Sequence, residues 1–318
     1  MVQRRLNLAI GVIVSLVAIY LATTGVDYAS VWASLRRAEP LLVGLALGSS
    51  LLNNVAKAVR WKILMGERGA AIGTMEALRL HLVGQMINGL LPARVGDLSR
   101  VYMAGELGVG RAFLVGTVAI EKVIDLVCYL LLFLLLLVLM PLPSWVNQPT
   151  YLLIGVVVAA TVIGIFIHQR GVTLPSWLPS GIRHRSEALI RGGLASLQIL
   201  SDMRGILGLT FWSALVWISA VLTNVLSLMA LEIHTPFAAP LLVLFVMIAG
   251  INLPSAPGRI GLFQYLCILA LAPFGIAQAA ALSFGFLLHI LVYLPMIIAS
   301  LSLLRFGSRR SVSPQDSG

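Results

Sequence analysis

TMEALRLHLVGQMINGLLPARVGDLSRVYMAGELG, residues 74–108, carries apolar runs on both sides of a centre made of Gly, Pro and Arg. The stretch is too polar for an ordinary membrane span and too apolar for a solvated loop. Broken backbone at membrane depth is tolerated only where protein or a watery cavity satisfies its N–H and C=O groups. A re-entrant hairpin or broken helix inside a helical membrane protein is therefore expected here, with a cytoplasmic amphipathic loop as the competing reading.

The rest of the chain supplies that membrane setting. Of 318 residues, 59% are hydrophobic and 11% charged, and the mean hydropathy is +0.99. Soluble domains run at about 25% charged residues, so the composition excludes a soluble fold. Apolar stretches of the length a hydrocarbon core requires recur at 6–24, 41–60, 112–139, 151–168, 207–231, 237–252, 260–273 and 279–304. The sixth and seventh are short and are separated by NLPSAPGRIG (252–261). The expected fold is all-α and polytopic, with about eight spans and two broken or re-entrant elements. One integral unit over 1–318 is expected, with a core of 6–305 and a cytoplasmic tail of 306–318. A cleaved signal peptide at the N-terminus is the weaker reading, because Thr23-Thr24-Gly25 is a poor small-residue cleavage site.

Charge distribution orients the chain. The net charge of +10 is read through membrane orientation and anionic head groups, not nucleic acid. Arg4, Arg5, the basic residues of 60–111, those of 170–204 and Arg305, Arg309 and Arg310 fall on one side of an eight-span arrangement. The opposite loops 140–150, 232–236 and 272–278 hold no Lys or Arg. Both termini are thus expected in the cytoplasm of a cell-membrane protein. Arg36 and Arg37 break the pattern; they lie in YASVWASLRRAEP (28–40), a short amphipathic stretch that suits the outer interface, with tolerated snorkelling charges as the equal alternative. Residues 180–205 read as a basic cytoplasmic surface helix.

The break at 88–96, NGLLPARVG, is echoed at 252–261, NLPSAPGRIG. Each presents an Asn, a Leu-Pro, then Arg, a β-branched residue and Gly, and paired interruptions in two halves of a transporter point to a site built from discontinuous helices. An inverted repeat follows as an expectation. Around these breaks the polar candidates for a substrate pathway are Asn53, Lys57, Arg60, Asn88, Pro92, Arg94, Gly96, Asp97, Arg100, Glu121, Asp125, Asn252, Pro254, Gly258, Arg259 and Gly261. Glu121 and Asp125, four apart, share one helix face; Arg94, Arg100, Lys122, Arg60 and Lys57 are the available partners. Lys57 and Arg60 continue a polar face from Asn53 at i+4 and i+7. The bland alternatives are structural ion pairs for the acids and interhelical hydrogen-bond glue for Asn53 and Asn54.

No GxSxG, HExxH, P-loop or Cys pair occurs. The five histidines (81, 168, 184, 234, 289) lack metal spacing, and Cys128 and Cys267 lie in apolar segments. No cofactor, no metal and no catalytic residue is expected.

The blocks NNVAKAVRW (53–61), NGLLPARVGDLSR (88–100), EKVID (121–125) and LPSAPGRIG (253–261) together resemble the flippase-like membrane domain of lysylphosphatidylglycerol synthases, over roughly 40–300. The resemblance implies movement of a lipid between leaflets, and the missing cytosolic transferase domain, as judged from the tail after the last span, implies transport without synthesis. One departure is Lys122, where the family pattern leads us to expect Arg; the charge stays and the planar fork goes. Expected partners are anionic or lipid-linked membrane lipids, with a lipid-synthesis enzyme as a further one. The other classes weighed are a non-transporting accessory subunit of a lipid-processing or glycosyl-transferring pathway and, last, a lipid-modifying enzyme with Glu121 and Asp125 as acid and base.

Overall fold

In the computed structural model, residues 2–91, 95–141, 202–250, 253 and 255–307 are described, together with positions 155, 186, 187 and 195. Among these residues every regular element is helical. The expected span 151–168, nearly all of the surface helix 180–205, the loop 142–150 and the tail from 308 lie outside them. The other seven expected spans each fall on a helix, but the count is corrected. Among the described residues five helices, or six with the bent N-terminal pair counted as one span, are long and apolar enough to cross a membrane, and Ala238–Gly250, with 13 residues, is too short.

α1 (Val2–Thr23) and α2 (Tyr28–Arg37) meet at 84° between Gly11–Thr23 and Tyr28–Arg37. Asp27 caps α2, its carboxylate accepting from the N–H groups of Ala29 (3.0 Å) and Ser30 (3.2 Å). Trp32 is exposed, with Arg36 stacked over its ring at 4.9 Å. Pro40 then opens α3 (Pro40–Met65) at its first turn.

From α3 onward the order long helix, hairpin, long helix occurs twice. α3 is followed by α4 (Thr74–Leu90), α5 (Val95–Gly105) and α6 (Arg111–Leu139). The second set is α7 (Met203–Ala230), α8 (Ala238–Gly250), α9 (Leu262–Leu271) and α10 (Gln278–Gly307). α3, α6, α7 and α10 have 26, 29, 28 and 30 residues, more than the ~20 a bilayer core needs. α8 and α9 have 13 and 10, about 20 and 15 Å of helix at 1.5 Å per residue. α9 is lengthened by single 3-10 turns at Pro257–Arg259 and Ala272–Phe274.

α3 and α7 are antiparallel partners. Ser49 Oγ donates to the Ser219 carbonyl (2.8 Å) and Asn53 Nδ2 to that of Val216 (2.6 Å), so numbers rising on one helix meet numbers falling on the other. The two halves therefore run in opposite senses, as an inverted repeat requires. Each hairpin also packs on the long helix of the other half. Tyr129 of α6 stacks on Phe245 of α8 at 4.5 Å, and Gly89 of α4 lies against Tyr293 of α10.

The second hairpin ends inside the bundle. Its tip is tied to α1 where the Ala256 N–H donates to Ser15 Oγ (2.8 Å) and Ser255 lies against Gly11. Both contacts are near the middle of the 22-residue α1, so this tip sits near half-depth if α1 crosses the bilayer.

Candidate functional site

The first hairpin closes because its arms approach backbone to backbone. A Cβ on Gly96 would stand 1.8 Å from the Gly84 carbonyl oxygen, so only glycine fits. Asn88 then bridges the break: its Oδ1 accepts from the Gly96 N–H (2.8 Å) and its Nδ2 donates to Asp97 Oδ1 (3.2 Å). Asp97 Oδ2 lies 3.0 Å from Lys122 Nζ, which is what the lysine at the departure position does.

Behind the hairpin is a chain of buried charge. Arg100 Nη2 meets Glu121 Oε2 at 2.7 Å, Arg60 Nη2 meets Glu121 Oε1 at 3.7 Å, and Arg60 Nη1 meets Asp125 Oδ1 at 2.7 Å. Arg100 also donates to His81 Nδ1 (3.4 Å) and stacks over Trp61 at 4.6 Å. Arg60 and Arg100 are 0% and 2% exposed. Removing Glu121 would leave the buried Arg100 guanidinium without its counter-charge, and removing Asp125 would leave Arg60 with the longer contact to Glu121.

The second hairpin is held by neutral groups. Gly258, Arg259 and Gly261 have φ of 75°, 55° and 84°, and left-handed backbone at a non-glycine such as Arg259 persists only where the surroundings enforce it. Gln264 supplies part of that, its Oε1 accepting from the Gly261 N–H (2.8 Å) while its Nε2 donates to His289 Nδ1 (2.9 Å). His289 also stacks on Phe263 at 4.6 Å. The guanidinium of Arg259 donates to Tyr293 Oη (2.7 Å) and to the Asn88 carbonyl (3.2 Å). The two interrupted elements thus meet tip to tip through Arg259.

A cavity of about 930 Å³ lies between the hairpins and α3, α6, α7 and α10. Among the candidates from sequence, Asn53, Lys57, Asn88, Asp97, Glu121, Asp125 and Arg259 line it. Arg60 and Arg100 stand behind the wall and hold its acids. Gly96, Gly258 and Gly261 shape the breaks without lining the cavity. Pro92, Arg94, Asn252 and Pro254 lie outside the described residues. Asn53 shows the bland role as well, since its Nδ2 is committed to α7. Sequence reasoning missed Gln85, Trp217 and Tyr293, which also line the cavity. For Tyr293 a signal existed: it follows His289 by four on α10, the spacing of Glu121 and Asp125 on α6.

Elsewhere the cavity wall is apolar, with Phe245, Met247, Phe263, Leu266 and Met296 among its residues. Among the described residues no group of three His, Cys, Asp or Glu is placed to hold a metal ion.

Inverted halves, two hairpins meeting at their tips and a cavity charged at one part and apolar at another define a helical membrane protein of the discontinuous-helix type. The chain belongs to the family described as the lysylphosphatidylglycerol synthase TM region, whose model matches residues 8–300. Family and fold make it a membrane protein linked to lipid handling. No curated protein matches the chain.

Proposed function

We propose that this protein is a lipid translocase in which the cavity between the two hairpins carries a polar or charged head group between leaflets. The observation that supports this most is the contact of Arg259 with the Asn88 carbonyl, 171 positions apart in sequence, which brings both breaks to one charged cavity. A head group in the charged part is solvated by Lys57, Arg259 and the side-chain amides, while acyl chains lie along the apolar part. Ionisable groups at membrane depth are expensive and go with pathways; a purely structural subunit has little use for an unpaired one. Directional work would come from a gradient or from downhill lipid flow, because the sequence has no nucleotide-binding motif.

The chain acts as one integral unit of the cell membrane with both termini cytoplasmic, the first hairpin entering from the cytoplasm and the second from outside. Single cysteines at Glu67 and Thr235 then label from opposite faces; labelling from one face contradicts this orientation. The role itself is tested with purified protein in liposomes carrying a fluorescent phosphatidylglycerol. Exchange between leaflets faster than in protein-free vesicles is the expected result. Protein-free rates across a broad lipid panel, with or without an imposed gradient, favour the accessory-subunit reading.

A further inference from the structure

We infer that the cavity selects net-anionic, phosphate-bearing head groups through Lys57 and Arg259 and rejects cationic aminoacylated ones, an inference that rests on the translocase reading for the identity of the ligand as a lipid. It follows from how the charges are already spent. Among the described residues, the cavity and the wall directly behind it hold five cations, Lys57, Arg60, Arg100, Lys122 and Arg259, against three carboxylates, Asp97, Glu121 and Asp125. Two positive charges are left over. Every carboxylate has a cation within 3.0 Å: Lys122 for Asp97, Arg100 for Glu121 and Arg60 for Asp125.

The surplus falls on Lys57 and Arg259. Neither has a carboxylate within 4.0 Å among the described residues. Among the described residues Arg259 is held by a phenol oxygen and a peptide carbonyl, neutral acceptors that a phosphate outcompetes because it adds a full opposite charge and can offer the guanidinium fork two oxygens at once. Both cations line the cavity, so a phosphate there meets charge that no carboxylate among the described residues neutralises.

An ammonium finds the reverse. The carboxylate with most open surface is Asp125, whose side chain is 31% exposed, and it already sits 2.7 Å from the fully buried Arg60. Drawing Asp125 onto a lipid amine would weaken the neutralisation of that buried guanidinium. A head group bearing a lysyl ester brings two ammonium groups into a site with surplus positive charge. The neutral amides of Asn54 and Gln85 on the wall suit hydroxyls better than amines in need of a counter-ion.

The test uses the full chain in detergent and four short-chain dihexanoyl lipids as probes: phosphatidate, phosphatidylglycerol, lysylphosphatidylglycerol and phosphatidylcholine. Affinities are read from ligand-dependent thermal stabilisation, which grows with the ratio of ligand concentration to Kd. Phosphatidate and phosphatidylglycerol should bind about tenfold or more tightly than the other two, the range a charge-assisted contact supplies. Lys57→Gln and Arg259→Gln should each weaken phosphatidylglycerol about tenfold and leave phosphatidylcholine unchanged. Lysylphosphatidylglycerol binding as tightly as phosphatidylglycerol to the wild-type protein overturns the inference, whether or not the variants fold. So does a ranking that survives in the folded double variant, and so does no binding of phosphatidylglycerol at all. The expected ranking without translocation in vesicles would sustain the selectivity and remove the translocase reading, so the two fail separately.

Discussion

Each hairpin carries an arginine that reaches a neighbouring element, Arg100 on α5 of the first and Arg259 at the break of the second, and the two live in different company. Arg100 in the first faces Glu121 at 2.7 Å, with Arg60 and Asp125 completing a chain of buried charge. Arg259 in the second faces Tyr293 Oη and the Asn88 carbonyl. A guanidinium locked to a carboxylate in a buried place is fixed, because either partner alone is costly. One that rests on neutral oxygens keeps its charge for something else. The same supersecondary element thus appears once as a charged anchor and once as a charged hand, and the contrast makes different demands on stability and transport.

The largest expected effect breaks the anchor. Glu121→Gln leaves Arg100 and Arg60 short of charge, and the loss should reach ~3–5 kcal/mol, seen as a large fall in melting temperature and folded yield. Arg100→Met combined with Glu121→Leu should recover most of that loss, since no buried charge is then unpaired. If the single variant melts like wild type, the network is not the anchor described above.

Next comes the close approach within the first hairpin. Gly96→Ala puts a methyl group 1.8 Å from the Gly84 carbonyl, so the arms must separate, at a cost of ~1–3 kcal/mol or more. A wild-type melting temperature would show that the arms are not packed backbone to backbone.

Smaller in stability but large in activity is Arg259→Gln. It should cost no more than ~1–2 kcal/mol of stability, the scale of its hydrogen bonds to neutral oxygens, while translocation falls about tenfold or more. Arg259→Lys should retain more activity than Gln, having kept the charge but not the fork. The smallest effect sharpens the comparison. Tyr293→Phe removes one neutral partner of Arg259 and should change stability by ~1 kcal/mol with transport kept, because the arginine's charge is intact.

Much of this architecture was legible in the chain. Gly and Pro inside apolar stretches at 88–96 and 252–261 cannot continue a membrane helix without a reason, and that alone located both breaks. The Asn-to-Gly echo raised the expectation of a shared site, and Arg259 does reach the Asn88 carbonyl. The pairing within the charged cluster was not legible. Arg60, Lys57, Arg94, Arg100 and Lys122 were all reasonable partners for Glu121 and Asp125, and only the packing of α3 and α5 on α6 sends Arg60 and Arg100 to these acids and Lys122 to Asp97. Nor did Arg60 announce that it stands behind the wall while Lys57, three residues earlier, lines it. Gln264 was hidden for another reason: a neutral polar residue in an apolar helix carries no charge signal, and its role appears only when a strained loop is seen resting on it.

Whether Arg259 serves the ligand instead of the fold is addressed directly by one measurement. Wild-type and Arg259→Gln proteins, matched for folded amount, are placed in vesicles with fluorescent phosphatidylglycerol, and its exchange between leaflets is timed. A rate at least about tenfold lower for the variant, approaching that of protein-free vesicles, is predicted. Exchange at the wild-type rate by the folded variant would contradict the claim that the two hairpins share a lipid path through this arginine.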